Sequence, residues 1–301
     1  MNYIDKIDQA QEILSPGVST CQGCGIEIIL RRILKIAGSN SILSLPPGCS
    51  AGAGTMGSNR LMGATIPVHV SLLDNLGSLM SGISAGLQNQ NREDINLIAF
   101  AGDGASADCG FQSLSGAAER GDKMLYICYD NEGYMNTGFQ RSSTSSLGTS
   151  TSTTPVGEAS IGKAQQKKNM AFIMAMHNVE YVATLSPSHM NDFVAKVEKG
   201  LAASKKGFAF LYIFSPCPTG WGFSPDRTIE VARNAVKADI CPLYEVENGN
   251  WKMTVANGQP ISVREYAKGI KKFRHLSDAQ FENWEKQIEK DRAFLKSMCS
   301  M

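Results

Sequence analysis

Cys21 and Cys24, in the stretch CQGCG, are two thiols three positions apart. That spacing serves a disulfide, a zinc half-site, a redox pair or an iron–sulfur cluster. Cys49, in PPGCS, follows after 24 intervening residues, and Cys217 lies in SPCPTGW. Four thiolates suit either Zn²⁺ or a [4Fe–4S] cluster, and spacing alone does not separate the two. A second constellation is rich in oxygen. Asp103 stands between Gly102 and Gly104 in AFAGDGASADCGFQ, and Asn131 lies 28 residues further on, after KMLYICYD. Glycine lets a backbone approach a phosphate closely, an aspartate after a strand is a hard ligand for Mg²⁺ shared with phosphates, and a helix N-terminus beyond it adds N–H donors. Gly-Asp-Gly alone is an ordinary strand-to-helix turn, and Asn131 alone an ordinary turn residue. The pair, each after an apolar strand and joined by a backbone carbonyl near Gly133, points to a diphosphate-bound Mg²⁺.

These residues must be positioned by the elements around them. Short, nearly continuous apolar runs at 41–45, 67–73, 95–101, 123–129, 179–184 and 208–214 read as strands covered on both faces. Between them, 25–38, 75–88, 111–121, 163–177 and 188–204 read as helices, the last capped by Ser186 or Ser188. The alternation predicts an α/β fold, a mostly parallel sheet with helices on both faces and ligands at the carboxyl ends of the strands. Asp103, Asn131, Cys49 and Cys217 all follow strands, so one sheet edge could gather both constellations. The boundary is placed at 225: residues 1–225 form the α/β domain, and 226–301 a C-terminal helical extension suited to packing on a partner subunit, with NGN and NGQP turns between two helices. The small, hydroxylic run SSTSSLGTSTSTT (142–154) has the composition of a flexible linker. Its place after Asn131 argues instead for an ordered, ligand-covering loop.

Bulk composition excludes several classes. With 43% hydrophobic and 19% charged residues, the chain is an ordinary globular one. Its formal net charge of +1 gives no global field for nucleic acid or an anionic membrane. Lys167-Lys168 and Lys205-Lys206 read as solvated faces. No apolar run reaches the roughly 18 residues of a membrane span, and the first residues lack an apolar leader core, so a cytoplasmic location is expected. Reduced thiols are the default there, which weighs against disulfides. Cys109, Cys128, Cys241 and Cys299 are read as small buried hydrophobes.

Gly-Asp-Gly followed by Asn131 resembles the thiamine-diphosphate motif. The longer run GDGASADCGFQSLSGAAERGDKMLYICYDNEGYMNTGFQRSS, with PCPTGWGFSPDRTIEVARNAV and PLYEVENG, resembles the beta subunit of the 2-oxoacid:ferredoxin oxidoreductases over nearly the whole chain. The resemblance implies a thiamine-diphosphate-binding fold and a reaction in which a 2-oxoacid, coenzyme A and oxidised ferredoxin give acyl-CoA, CO₂ and reduced ferredoxin. It assigns Cys21, Cys24, Cys49 and Cys217 to one [4Fe–4S] cluster beside the thiamine, and Asp103, Asn131 and Gly133 to Mg²⁺. Gly48, Ser50, Asn75, Gly102, Gly104 and Thr137 fall at cofactor-binding positions, and Asn136 at that of the catalytic asparagine beside the reacting carbon. Asp108 and Gln112 would order the diphosphate loop. The glutamate that protonates the thiamine pyrimidine is assigned by the resemblance to a partner alpha subunit. The chain would thus be inactive alone, working with alpha and with gamma and delta subunits or their fusion; no nucleic acid or membrane partner is implied.

Three places depart from the family pattern: Val18 where His is common, Pro47 where Thr is common, and VSLLDNLGSLMSG at 70–82, which keeps Asn75. They leave the substrate open. Pyruvate is the first choice, with branched-chain, aryl or oxalate substrates as alternatives, the last needing no coenzyme A. Outside that class stand a non-redox thiamine-dependent decarboxylase and a zinc-binding structural subunit.

Overall fold

The computed structural model describes residues 4, 7, 9–17, 19–55 and 63–299. An eight-stranded sheet organises them. In chain order its strands are β1 (Ser41–Leu45), β2 (Val68–Val70), β3 (Asn96–Gly102), β4 (Met124–Asp130), β7 (Tyr181–Leu185), β8 (Phe208–Phe214), β9 (Tyr244–Glu247) and β10 (Asn250–Met253). A separate two-stranded hairpin, β5 (Val156–Gly157) and β6 (Ser160–Ile161), lies outside it. The sheet order is β10-β9-β7-β8-β4-β3-β1-β2. Every pairing from β7 to β2 is parallel, and β9 and β10 join antiparallel at the edge.

The central strands are apolar on both sides because helices cover both faces. Ile98 and Phe100 of β3 point to one face, where α1 (Gly25–Ala37) and α6 (Met190–Ala203) pack. Leu97, Ala99 and Ala101 point to the other, against α3 (Leu76–Asn89), α4 (Phe111–Glu119) and α5 (Met170–Ala175). This is the two-residue alternation of a strand with apolar demand on both faces. A third apolar cluster lies beyond the carboxyl edge. It joins Phe214 and Trp221 to α8 (Thr228–Lys237), α9 (Val263–Ala267) and α10 (Asp278–Cys299).

Several sequence expectations are revised. The region beyond 226 is not helical throughout: Asn248 and Gly249 take φ of 50° and 75°, and the resulting tight turn makes β9 and β10 a hairpin that extends the sheet. Only Met170–Ala175 of the expected 163–177 helix forms, because Lys163 Nζ gathers the carbonyls of Ser143, Ser145, Gln165 and Gln166. The N-cap of α6 is His189 without a side-chain cap, while Ser186 and Ser188 bond to each other. Lys167 is half-buried rather than simply solvated, its ammonium 3.0 Å from the buried Asp130 carboxylate. Cys128 and Cys241 are buried as expected, Cys109 is exposed, and Cys299 is half-buried. Val18 lies outside the described residues. Among the described residues no helix is long and apolar enough to cross a membrane.

Candidate functional site at the carboxyl edge of the sheet

Register brings the oxygen constellation together. Gly102 pairs with Tyr129, and Asp130 with Phe214, so Asp103, Asn131 and Ser215 leave neighbouring parallel strands at one level. Asp103 is 1% exposed and Asn131 3%. The Asn131 carboxamide lies between two acceptors, Gly133 O and Asp103 Oδ1, and in the orientation that satisfies both of its ends its nitrogen donates to them at 2.8 and 3.0 Å. It thus bridges the Asp103 carboxylate and the Gly133 carbonyl, and carboxylate, carboxamide and carbonyl oxygens are the ligands a hard cation takes. The donor set therefore fits Mg²⁺.

Behind this corner the hydroxylic loop is ordered, as its position argued. Ser142, Thr144, Ser145, Ser146 and Thr149 are all buried. Ser142 Oγ donates to Asp103 Oδ2, and Thr144 Oγ1 lies 2.9 Å from the same oxygen and 2.8 Å from Asp130 Oδ1. One face of the Asp103 carboxylate is thus held by hydroxyls, while Oδ1 faces the Asn131 carboxamide. Burial, followed by the Asp130 carboxylate, pushes Asp103 well above the ordinary carboxylate range, and the two hydroxyls oppose that rise. A bound cation would favour the ionised form. Asp108 holds the loop from the other side, accepting from the Ser143 N–H at 3.2 Å and from its hydroxyl; Gln112 is exposed.

Neither Gly102 nor Gly104 takes a positive φ. Their need is space: a Cβ on Gly104 would lie 2.5 Å from the Tyr134 ring, and one on Gly102 3.1 Å from the Tyr129 hydroxyl. Gly133 is closed in likewise by Gln140 O. Asn136 and Thr137 lie on the exposed turn that follows, where Thr137 Oγ1 donates to Gln140 Oε1 at 2.6 Å. Gly48 precedes α2 (Cys49–Gly54) with φ 133°. Ser50 is enclosed and internally bonded, donating Oγ to Pro46 O at 3.1 Å and N–H to the Tyr129 hydroxyl at 3.1 Å. Asn75 Oδ1 accepts from Leu72 N–H at 3.1 Å at the start of α3.

The thiols converge from three directions. Cys24 is the N-cap of α1, Cys49 opens α2, and Cys217 is the N-cap of α7 (Pro218–Trp221). The CQGCG turn is pressed against the segment after β8: Thr228 Oγ1 donates to Gly23 O at 2.6 Å, and a Cβ on Gly23 would meet Pro225 O at 2.3 Å. Gly23 takes φ 69°, which lets the chain turn back there. Burial raises Cys24 to about 11, with Cys217 and Cys21 adding to the rise. Burial, then Cys24, Cys217 and Cys21, raises Cys49 to about 12. Cys217 is also raised, by burial above all, with Cys21 contributing, although its sulfur accepts the Gly220 N–H at 3.2 Å. Thiols that suppress one another's ionisation are what a polycationic centre would reverse. Among the described residues no three His, Cys, Asp or Glu side chains already stand at metal-binding spacing. The four thiols share a neighbourhood without a closed cage.

Sequence reasoning missed the charges beneath the site. Glu132, fully buried, pairs with Lys272 at 2.5 Å and with Lys167 at 3.4 Å, and accepts from Ser146 Oγ at 2.7 Å. Burial alone would raise Glu132, but the Lys272 and Lys167 ammoniums overcome it and hold the carboxyl at about 2. Lys272 is itself lowered by burial despite the pull of Glu132. The one local signal was charge: an Asp130–Glu132 pair at the end of an apolar strand requires buried cations. A cavity of about 460 Å³ opens beside Lys167 and Tyr212, between the covering loop, the β9–β10 hairpin and α10. None of the site residues anticipated from the sequence lines it.

The chain has clear relatives. Residues 31–213 match the family described as thiamine pyrophosphate enzyme, C-terminal TPP binding domain. The chain is 42% identical to the NADH-dependent phenylglyoxylate dehydrogenase subunit beta of Aromatoleum evansii, over 99% of this chain and 67% of that protein. It is 44% identical to the pyruvate synthase subunit PorB of Methanothermobacter thermautotrophicus, over 90% of this chain and 92% of that one. Identity to the ketoisovalerate oxidoreductase subunit VorB of Pyrococcus abyssi is 36%, over 97% and 94%. In fold it is similar to a solved 2-oxoglutarate:ferredoxin oxidoreductase from Magnetococcus marinus, with a TM-score of 0.57 and 21% identity over 77% of this chain and 80% of that one.

Proposed function

Because the chain belongs to the beta subunits of the 2-oxoacid oxidoreductases and carries their thiamine-diphosphate-binding domain, we propose that it holds Mg²⁺–thiamine diphosphate and one [4Fe–4S] cluster in a ferredoxin-linked 2-oxoacid oxidoreductase. The observation that carries this reading is the juxtaposition of the Asp103 carboxylate, the Asn131 carboxamide and the Gly133 carbonyl at a strand edge that also gathers Cys49 and Cys217. Asp103 Oδ1, Asn131 Oδ1 and Gly133 O would hold the metal, and Cys21, Cys24, Cys49 and Cys217 the cluster.

Bound there, thiamine diphosphate would supply the carbon nucleophile and electron sink for decarboxylation, and the cluster a one-electron acceptor. The net reaction is 2-oxoacid, coenzyme A and two oxidised ferredoxins giving acyl-CoA, CO₂, a proton and two reduced ferredoxins. The Ser142–Thr144 collar holds Asp103 and would thereby orient it toward the metal, and the exposed Asn136 amide would hydrogen-bond the substrate. The pyrimidine-protonating glutamate and most substrate contacts come from the alpha subunit, with gamma and delta subunits or their fusion completing a cytoplasmic complex.

Pyruvate is the first substrate. The aryl alternative draws on the 42% identity to the phenylglyoxylate enzyme over almost the whole chain, and the branched-chain alternative on the ketoisovalerate relative. The test is an anaerobically purified complex. It is expected to contain about four iron atoms per chain, with thiamine diphosphate and Mg²⁺. Viologen or ferredoxin reduction is then followed on adding pyruvate, ketoisovalerate, phenylglyoxylate or oxalate, with and without coenzyme A. Zinc in place of iron would overturn the cluster. Decarboxylation without acceptor reduction would make the complex a non-redox thiamine enzyme.

A further inference from the structure

Trp221 joins the two halves of this site. Four residues after Cys217, it closes the short helix α7, its N–H donating to Cys217 O at 2.9 Å. The ring is fully buried, and the indole N–H donates to Asn131 O at 2.8 Å. On the ring, the Lys272 ammonium lies 3.3 Å from the centroid. That ammonium also pairs with Glu132 Oε2 at 2.5 Å. One indole is therefore tied to consecutive residues, 131 directly and 132 through a cation. Glu132 holds φ 59°, a conformation uncommon for a residue with a side chain, and its N–H donates to Asp130 Oδ1 at 2.8 Å. Any buried indole N–H needs an acceptor; what is particular here is that the acceptor is the main chain of the turn carrying Asn131 and that a cation paired with the next residue lies on the ring's face.

We propose that Trp221 is a positioning residue: it locks the metal-bearing turn at Asn131–Gly133 to the thiol-bearing turn at Cys217, so that the two centres hold a fixed relation and each senses the other's occupancy. The proposal rests on the functional reading above for the identity of the two centres. The lock itself is a property of this chain's own side chains.

The experiment compares Trp221→Phe, which keeps a ring and removes the N–H donor, with Phe223→Leu, a change to a neighbouring buried ring that touches neither turn's hydrogen bonds. Adding Mg²⁺–thiamine diphosphate to the depleted wild-type complex is expected to shift the electron paramagnetic resonance signal of the reduced cluster. In W221F iron content is retained, the shift is lost, and the dissociation constant for Mg²⁺–thiamine diphosphate rises about tenfold, as for loss of an outer-shell partner. F223L loses thermal stability but keeps the shift. A metal-free readout stands beside these: amide exchange of the 131–134 turn speeds up roughly tenfold in W221F, as one lost hydrogen bond allows, and is unchanged in F223L. If W221F behaves as F223L in both readouts, the lock is refuted. A wild-type complex lacking iron or thiamine diphosphate would instead overturn the functional reading, and the exchange comparison would decide the lock by itself.

Discussion

The oxygen corner and the thiol corner lie on the same sheet edge but are built differently. Asp103 is clasped by Ser142 and Thr144, backed by Asp130, and enclosed by a loop that Lys163 holds through the carbonyls of Ser143 and Ser145. The chain's own hydrogen bonds organise that corner. The thiols come from loops and helix starts that touch through Gly23, Pro225 and Thr228, yet they stop short of a cage. Oxygen ligands can be held in place by hydroxyls and amides, because those donors bond carboxylates and carbonyls well. Sulfur bonds weakly to the same partners, so a thiol site leans on its metal for its final shape.

That contrast can be broken at either corner. Asp103→Ala is expected to have the largest effect, lowering retention of Mg²⁺–thiamine diphosphate by more than the roughly 100-fold typical of outer-shell losses, with iron content intact. Cys49→Ser should do the reverse. Calorimetry and iron analysis on the same two complexes check both, and loss of both groups in either variant would show the corners to be one cooperative unit. Next in size, Lys272→Met leaves Glu132 with a weakened set of partners. Removing one partner of a buried pair costs about 3–5 kcal/mol, measurable by urea unfolding; a loss under about 1 kcal/mol would mean that Lys167 suffices. The same pair sets a pH dependence. Glu132 is held at about 2 against an ordinary 4.5. Its depressed value contributes stability that is complete above about pH 4.5 and is lost as pH falls toward 2. The stability gap between wild type and the Lys272→Met variant should narrow across that window, and a gap constant from pH 5 to 3 would count against it. The smallest effect is Ser142→Ala: about tenfold weaker Mg²⁺ binding, with melting temperature nearly unchanged, since Thr144 still reaches Asp103.

Much of this was legible in the sequence. Strands buried on both faces announce themselves as unbroken apolar runs, and β1, β3, β4 and β8 lie within a residue of the expected ends. Asp103 and Asn131 could be paired because each follows such a run, and parallel pairing forces their ends together. The β9–β10 hairpin was harder to see. Its Asn248–Gly249 turn was visible, but YEVE and NWKM carry charges on an edge and lack the apolar density of a central strand. Lys167 and Lys272 were misread or passed over because their pairing depends on Glu132, whose partners lie 35 and 140 residues away. Trp221 likewise gives no local sign of its bond to Asn131, 90 residues before it.

Lys163 offers a different lesson. Its ammonium is wholly enclosed and collects only main-chain oxygens, which every residue type provides. An internal cation chelated by backbone makes one position responsible for a loop whose neighbours are then free to change. For a designer wishing to alter what the covering loop presents, the serines and threonines not engaged with Asp103, Asp108 or Glu132 are the places to vary, and Lys163 is the place to leave alone.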